Sequence, residues 1–128
     1  MTARSSVIST DAAPKAIGPY SQAYETGGFI YLSGQIPLDP ASGAIVEGEF
    51  AVHAQRVLDN LDAVLRAAGC RRDQVVKTTV YLTDLGLFAE MNQIYAAFFG
   101  GHRPARAVVG VAALPRGARV EIEAVAAR

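Results

Sequence analysis

The run Ala107-Val108-Val109-Gly110-Val111-Ala112 limits the possible folds more than any other stretch. Small and β-branched side chains favour a strand. In a strand, alternate side chains point to opposite faces. Ala107, Val109 and Val111 then share one face, and Val108, Gly110 and Ala112 share the other. Both faces are apolar, so both need cover. The rest of the chain offers two helical stripes, and two helices cover one face of a sheet. An apolar sheet face left over usually means a partner. At 128 residues the chain has room for one domain, 1–128. The expected partner is therefore a second copy, giving a homo-oligomer that packs sheet on sheet.

Period and punctuation place the other elements. Arg4 to Ser9 reads as a short first strand. Pro14, Gly18 and Pro19 make the stretch from Asp11 to Ser21 an ordered loop. Gln22 to Thr26 and Phe29 to Gln35 read as strands around Gly27-Gly28, a hairpin signal. In the second of these, Ile30 and Leu32 share one face, Tyr31 and Ser33 the other. Ile36 to Gly48 is a Pro- and Gly-rich loop. A helix is expected from Glu49 to Ala68, with Val57, Leu61, Val64, Leu65 and Ala68 as its apolar stripe and Gly69 as its stop. Val75 to Leu82 reads as a central strand. Thr83-Asp84 is placed to cap a second helix from Leu87 to Phe99, with a stripe of Phe88, Met91, Ile94, Tyr95, Phe98 and Phe99. Strands Arg106 to Ala112 and Arg119 to Ala126 close the chain around Leu114-Pro115-Arg116-Gly117. The order is an α+β pattern with the helices packed on one face.

Charge and motif content exclude several classes. Twelve basic and twelve acidic residues cancel, which leaves no global attraction for nucleic acid or anionic lipid. Cys70 is the one cysteine, so no internal disulfide forms and a cytoplasmic protein is the simple expectation. Met1 to Ser6 lacks the apolar core of a signal peptide, and no stretch has the length of a membrane span. His53 and His102 lack the ligand spacing of a zinc site. There is no phosphate-cradling or dinucleotide fingerprint. The expectation is chemistry, or plain binding, without metal or cofactor.

From His102 onward five arginines face two glutamates. A local anion site there is plausible. Arg106 opens a strand just after Pro104. Its guanidinium is always charged and grips carboxylates through paired hydrogen bonds; the competing reading is a surface salt bridge. Glu121 and Glu123 alternate with Val120, Ile122 and Ala124, so the acids point away from the helices. They either pair at a rim or line a site. Tyr20, in the Pro/Gly loop, either closes over a ligand or plugs a sheet edge. Asn92 reads first as a solvated or capping residue. Cys70 precedes Arg71-Arg72, which could lower its thiol pKa, but no neighbouring motif uses it, so a structural or incidental thiol is the expectation.

Taken together these stretches resemble the RidA (YjgF/YER/UK) family, described as 2-iminobutanoate/2-iminopropanoate deaminases and historically as L-PSP endoribonucleases. The resemblance runs through Ala16-Ile17-Gly18-Pro19-Tyr20-Ser21-Gln22, Ser33-Gly34-Gln35-Ile36-Pro37, Leu58-Asp59-Asn60-Leu61 and Val76-Lys77-Thr78-Thr79-Val80-Tyr81-Leu82. It continues through Met91-Asn92, Pro104-Ala105-Arg106, Leu114-Pro115 and Val120-Glu121-Ile122-Glu123-Ala124. It implies a chorismate-mutase-like α+β fold with a mixed sheet, and a homotrimer with its sites in clefts between subunits. It also implies roles. Arg106 matches the arginine that binds the substrate carboxylate, and Glu121 the acid beside the substrate and a water. Tyr20, Ser33, Gly34 and Asn92 match positions that line the cleft. The implied substrate is a 2-imino acid or its enamine, hydrolysed to a 2-keto acid and ammonia.

Two departures stand out. Deaminating members commonly carry a cysteine or an alanine, and then a glutamate, where this chain has Val108 and Gly110, and the loop between Phe99 and Pro104 is shorter. Val108 makes that part of the cleft bulkier and drier. A deaminase, a non-catalytic carboxylate-binding or chaperone-like paralogue and a ribonuclease are the three functional readings. Zero net charge weighs against the last.

Overall fold

The computed structural model of the chain describes residues 5–128. Arg4, where the expected first strand begins, lies outside the described residues. The strands are β1 (Ser5–Ile8), β2 (Ala23–Thr26), β3 (Phe29–Gln35), β4 (Val75–Leu82), β5 (Ala105–Gly110) and β6 (Val120–Ala127). The helices are α1 (Phe50–Ala67), between β3 and β4, and α2 (Phe88–Phe99), between β4 and β5. One six-stranded sheet runs in the order β1-β2-β3-β6-β4-β5. β5 lies parallel to β4, and every other neighbouring pair is antiparallel. A parallel pair needs a crossover, and α2 is that crossover.

The helices cover one face, as the two-helix argument required. Val57, Leu58, Leu61, Val64 and Leu65 of α1 share a buried core with Ile30 and Leu32 of β3 and Val120, Ile122 and Ala126 of β6. Each large apolar side chain buried there is worth about 1.5–3 kcal/mol. The helix stops on Ala68, and Gly69 then takes φ 75°, a conformation that costs glycine little. Asp84 does cap, but not α2 itself. Its side chain accepts from the Gly86 N–H at 2.8 Å and starts a short 3₁₀ turn, Leu85–Leu87, that leads into α2. Phe88 also departs from expectation: it is 42% exposed and lies outside the core.

Two buried amides tie irregular segments to this frame. The Gln22 amide donates to the carbonyls of Pro14 at 2.7 Å and Thr10 at 3.0 Å, and its oxygen accepts from the Thr10 N–H at 2.7 Å. The Asn60 amide donates to the Leu38 carbonyl at 3.0 Å and accepts from Arg56 Nε at 3.0 Å. Loops cannot form ladders, so side chains satisfy their backbone instead.

The far face carries Val7, Tyr24, Tyr31 and Val125 on one rung across four strands. Val7 is 61% exposed and Tyr31 48% exposed. Val109 of β5 is exposed on the same side. Among the described residues no helix is long and apolar enough to cross a membrane.

Candidate functional site

β3 is irregular where it meets β6. The register passes from Leu32 opposite Ala124 to Gln35 opposite Ile122, so Ser33 and Gly34 together face a single residue, a β-bulge. The Ser33 hydroxyl donates to the Ser21 carbonyl at 2.6 Å, and its N–H donates to the Gln22 carbonyl at 3.0 Å. Those bonds pin the bulge to the loop that Gln22 holds. Tyr20 projects from that loop, its hydroxyl accepting weakly from the Ile17 N–H at 3.4 Å.

Glu121 of β6 reaches over the bulge. A Cβ on Gly34 would stand 2.1 Å from Glu121 Oε2, so only a glycine leaves the carboxylate where it is. Tyr20, Ser33, Gly34, Pro115 and Glu121 line one cleft of about 560 Å³. Burial, and secondarily the charge of Glu123, push the Glu121 carboxyl above its ordinary value. Among the described residues no ion pair neutralises it. Arg116 closes one side of the cleft, with φ 60° and an Nη1 hydrogen bond to the Gly43 carbonyl at 3.2 Å.

Arg106 is elsewhere. On β5 it pairs with Thr78 of β4, and Thr78 is buried on the helix side, bonded at 2.6 Å to the Tyr95 hydroxyl of α2. Strand parity therefore sends Arg106 to the helix side too. Its guanidinium carbon lies 4.8 Å from the Tyr95 ring centroid and 5.7 Å from that of Phe88. Among the described residues it forms no ion pair within the chain. Val108 follows on the same face and packs against the core. Asn92 falls between Phe88 and Tyr95 at helical spacing, so it shares their face of α2. At Gly110 a Cβ would come within 3.0 Å of the Leu85 side chain, so Leu85 fills the space a longer side chain would take.

The chain thus carries two half-sites. Tyr20, Ser33, Gly34 and Glu121 gather in the cleft on the face away from the helices; Arg106, Asn92 and Val108 gather at the β5–α2 edge. The first offers a desolvated carboxylate and hydroxyl groups. The second offers a free guanidinium on an aromatic bed. Sequence reasoning missed Tyr95 and Phe88 as supports of Arg106, although their spacing with Asn92 on α2 carries that signal. It also missed Tyr81, whose hydroxyl donates to Glu123 Oε1 at 2.7 Å. Cys70 is buried, and burial pushes its thiol up despite the nearby arginines, which fits the expected structural thiol. Among the described residues no cluster of three or more His, Cys, Asp or Glu side chains is placed to hold a metal ion.

Comparison with known proteins agrees with this fold. Residues 10–128 match the profile of the family described as Endoribonuclease L-PSP. A 2-iminobutanoate/2-iminopropanoate deaminase of Mus musculus is 56% identical over 120 residues, which is 94% of this chain and 89% of that protein. The crystal structure of RidA from the Antarctic bacterium Psychrobacter superposes with a TM-score of 0.92 at 44% identity, covering 96% of this chain and 99% of that one. TdcF of E. coli, solved with bound serine, gives a TM-score of 0.91 at 41% identity, covering 96% and 98%.

Proposed function

The chain belongs to the Endoribonuclease L-PSP family, and from that premise we propose that it is a 2-iminobutanoate/2-iminopropanoate deaminase. It hydrolyses reactive 2-imino acids, the tautomers of enamines released by pyridoxal-phosphate enzymes, to 2-keto acids and ammonia, so protecting such enzymes. The observation that carries the reading is the free guanidinium of Arg106, set on Tyr95 and Phe88. It suits the carboxylate common to every 2-imino acid. The similarity of the mouse deaminase over nearly the whole chain supports the same activity.

In this reading Arg106 binds the carboxylate and fixes the imine carbon. Glu121 takes a proton from water as the water oxygen adds to that carbon, and the C=N double bond becomes a single bond. Glu121 then gives that proton to the amine nitrogen, the C–N bond breaks with its electron pair leaving on ammonia, and Glu121 takes the hydroxyl proton as the C=O bond of the keto acid forms. Tyr20, Ser33, Gly34, Asn92 and Val108 shape the cleft around these groups. An imine is electrophilic once protonated, so neither metal nor cofactor enters the scheme.

The two half-sites face opposite sides of one sheet, so a complete site takes Arg106 from one subunit and Glu121 from another. That geometry calls for an assembly of copies, and the family resemblance supplies its number: we propose a homotrimer with three sites between subunits, assembled over the exposed Tyr24 and Tyr31 face. The reading is tested by generating 2-iminopropanoate or 2-iminobutanoate in situ and following keto-acid formation. The expected result is acceleration by the protein and its loss in Arg106→Ala with the fold intact. Full activity in that variant overturns the proposal.

A further inference from the structure

Glu123 is the second carboxylate on the cleft side of β6, and the proposed reaction leaves it without a task. It stands opposite Thr79 of β4, while Glu121 stands opposite Tyr81. Tyr81 does not stay on its own rung. Its hydroxyl reaches one rung along and donates to Glu123 Oε1 at 2.7 Å. The phenol whose backbone faces Glu121 thus fixes the neighbouring carboxylate. Alternate residues of a strand lie about 7 Å apart, so Glu123 holds a fixed charge close to Glu121.

The other groups facing Glu121 are few. The N-terminal loop brings Lys15 and Tyr20, and the turn at Pro115 brings Arg116. β3 brings Ser33, Gly34 and Gln35, none of which titrates. Among the described residues neither Lys15 nor Arg116 forms an ion pair with Glu121. Glu123 adds to burial in raising the Glu121 carboxyl, and the same two carboxylates raise the Tyr81 phenol.

We propose that Glu123, held by Tyr81, is a positioning residue whose charge sets the proton affinity of Glu121. The proposal rests on reading Glu121 as the group that activates water. A carboxylate that must take a proton from water works better when its conjugate acid is less acidic. A second negative charge at fixed distance does that without touching the substrate. The bland alternative is a hydrogen bond that only ties β4 to β6.

The test is the pH profile of kcat/KM for keto-acid formation in wild type, Glu123→Gln and Tyr81→Phe. Glu123→Gln removes the charge and keeps the shape, so the acid limb moves down by about half a pH unit, the effect of one charge about 7 Å away across a wet surface. Tyr81→Phe keeps the charge but releases it from its fixed place, so the limb moves down by less than in Glu123→Gln. That graded shift supports the proposal, because a purely structural bond would lower activity in both variants without moving either limb. An unmoved limb in Glu123→Gln, or a limb in Tyr81→Phe that moves up or farther down than in Glu123→Gln, overturns it. Glu121→Gln is the control. If that variant keeps its activity and its acid limb, the reading of Glu121 fails first, and the proposal with it. If it is inactive while Glu123→Gln is unshifted, only the present proposal fails.

Discussion

Glu121 lies so close over Gly34 that the two positions share one space: a Cβ at 34 would sit 2.1 Å from the carboxylate oxygen. The obstacle is the end of a flexible side chain, so the backbone has no need to move. Gly34→Ala is expected to push the Glu121 carboxylate out of the cleft and leave the sheet intact. Gly34 does not use positive φ, so alanine brings no backbone strain. The expected loss in kcat is at least tenfold, with a change in stability of about 1 kcal/mol or less. Paired measurements of deaminase rate and thermal unfolding check this. Unchanged activity would mean that Glu121 works from another position.

The acids of β6 could be placed on a face from alternation alone, because Val120, Ile122 and Ala124 had to be buried. The two-helix cover was legible for a similar reason: a helix stripe and a strand stripe are both periodic. The split of the site was not legible. It depends on the register of β5, which pairs Arg106 with buried Thr78, and a strand that is apolar on both faces does not show which of them meets the helices. The bulge at Ser33–Gly34 was equally hidden, since it shows only against the partner strand. The Gln22 and Asn60 clamps escaped because a buried amide reads as an ordinary polar residue until its carbonyl partners are in place.

Glu121 also ties activity to stability. Its carboxyl is raised above its ordinary 4.5, chiefly by burial. The folded state then holds a proton more tightly than the unfolded chain. Its contribution to stability is full below about pH 4.5 and is lost as pH rises through the raised value. At neutral pH the ionised carboxylate therefore weakens the fold. Glu121→Gln is expected to be inactive yet more stable at pH 7.5, with the gain in Tm shrinking toward zero at pH 4. A variant less stable than wild type at pH 7.5 would contradict the linkage. Functional groups held at a cost to stability commonly show this trade-off.

The aromatic bed of Arg106 gives a third expectation. Phe88 is substantially exposed and makes no core contact that explains it, while its ring lies 5.7 Å from the guanidinium carbon. A cation over a ring at a partly exposed site is worth about 0.5–1 kcal/mol. Phe88→Ala is expected to loosen Arg106 and raise KM about three- to fivefold. kcat should change little, because the carboxylate is bound equally in the ground and transition states. Steady-state kinetics on the in situ imine separate the two. A fall in kcat with unchanged KM would place Phe88 in some other role.

The arrangement of half-sites makes the last expectation the most direct. Arg106 and Glu121 of one chain cannot meet, since they face opposite sides of the same sheet. If a complete site joins two chains, each defective variant keeps the half the other lacks. Arg106→Ala still carries Glu121, and Glu121→Gln still carries Arg106. Each alone is expected to be inactive. Unfolded together, mixed in equal amounts and refolded, they form mixed oligomers in which an Arg106→Ala subunit supplies its carboxylate beside a Glu121→Gln subunit that supplies its guanidinium. In a ring of three with random placement, about a quarter of the junctions are intact. Recovered deaminase activity of that order, absent when the folded variants are mixed for a short time only, is the expected result. No recovery after co-refolding, with oligomers shown to be mixed by mass, would return both residues to a single chain and require β5 to present Arg106 differently from the register that pairs it with Thr78.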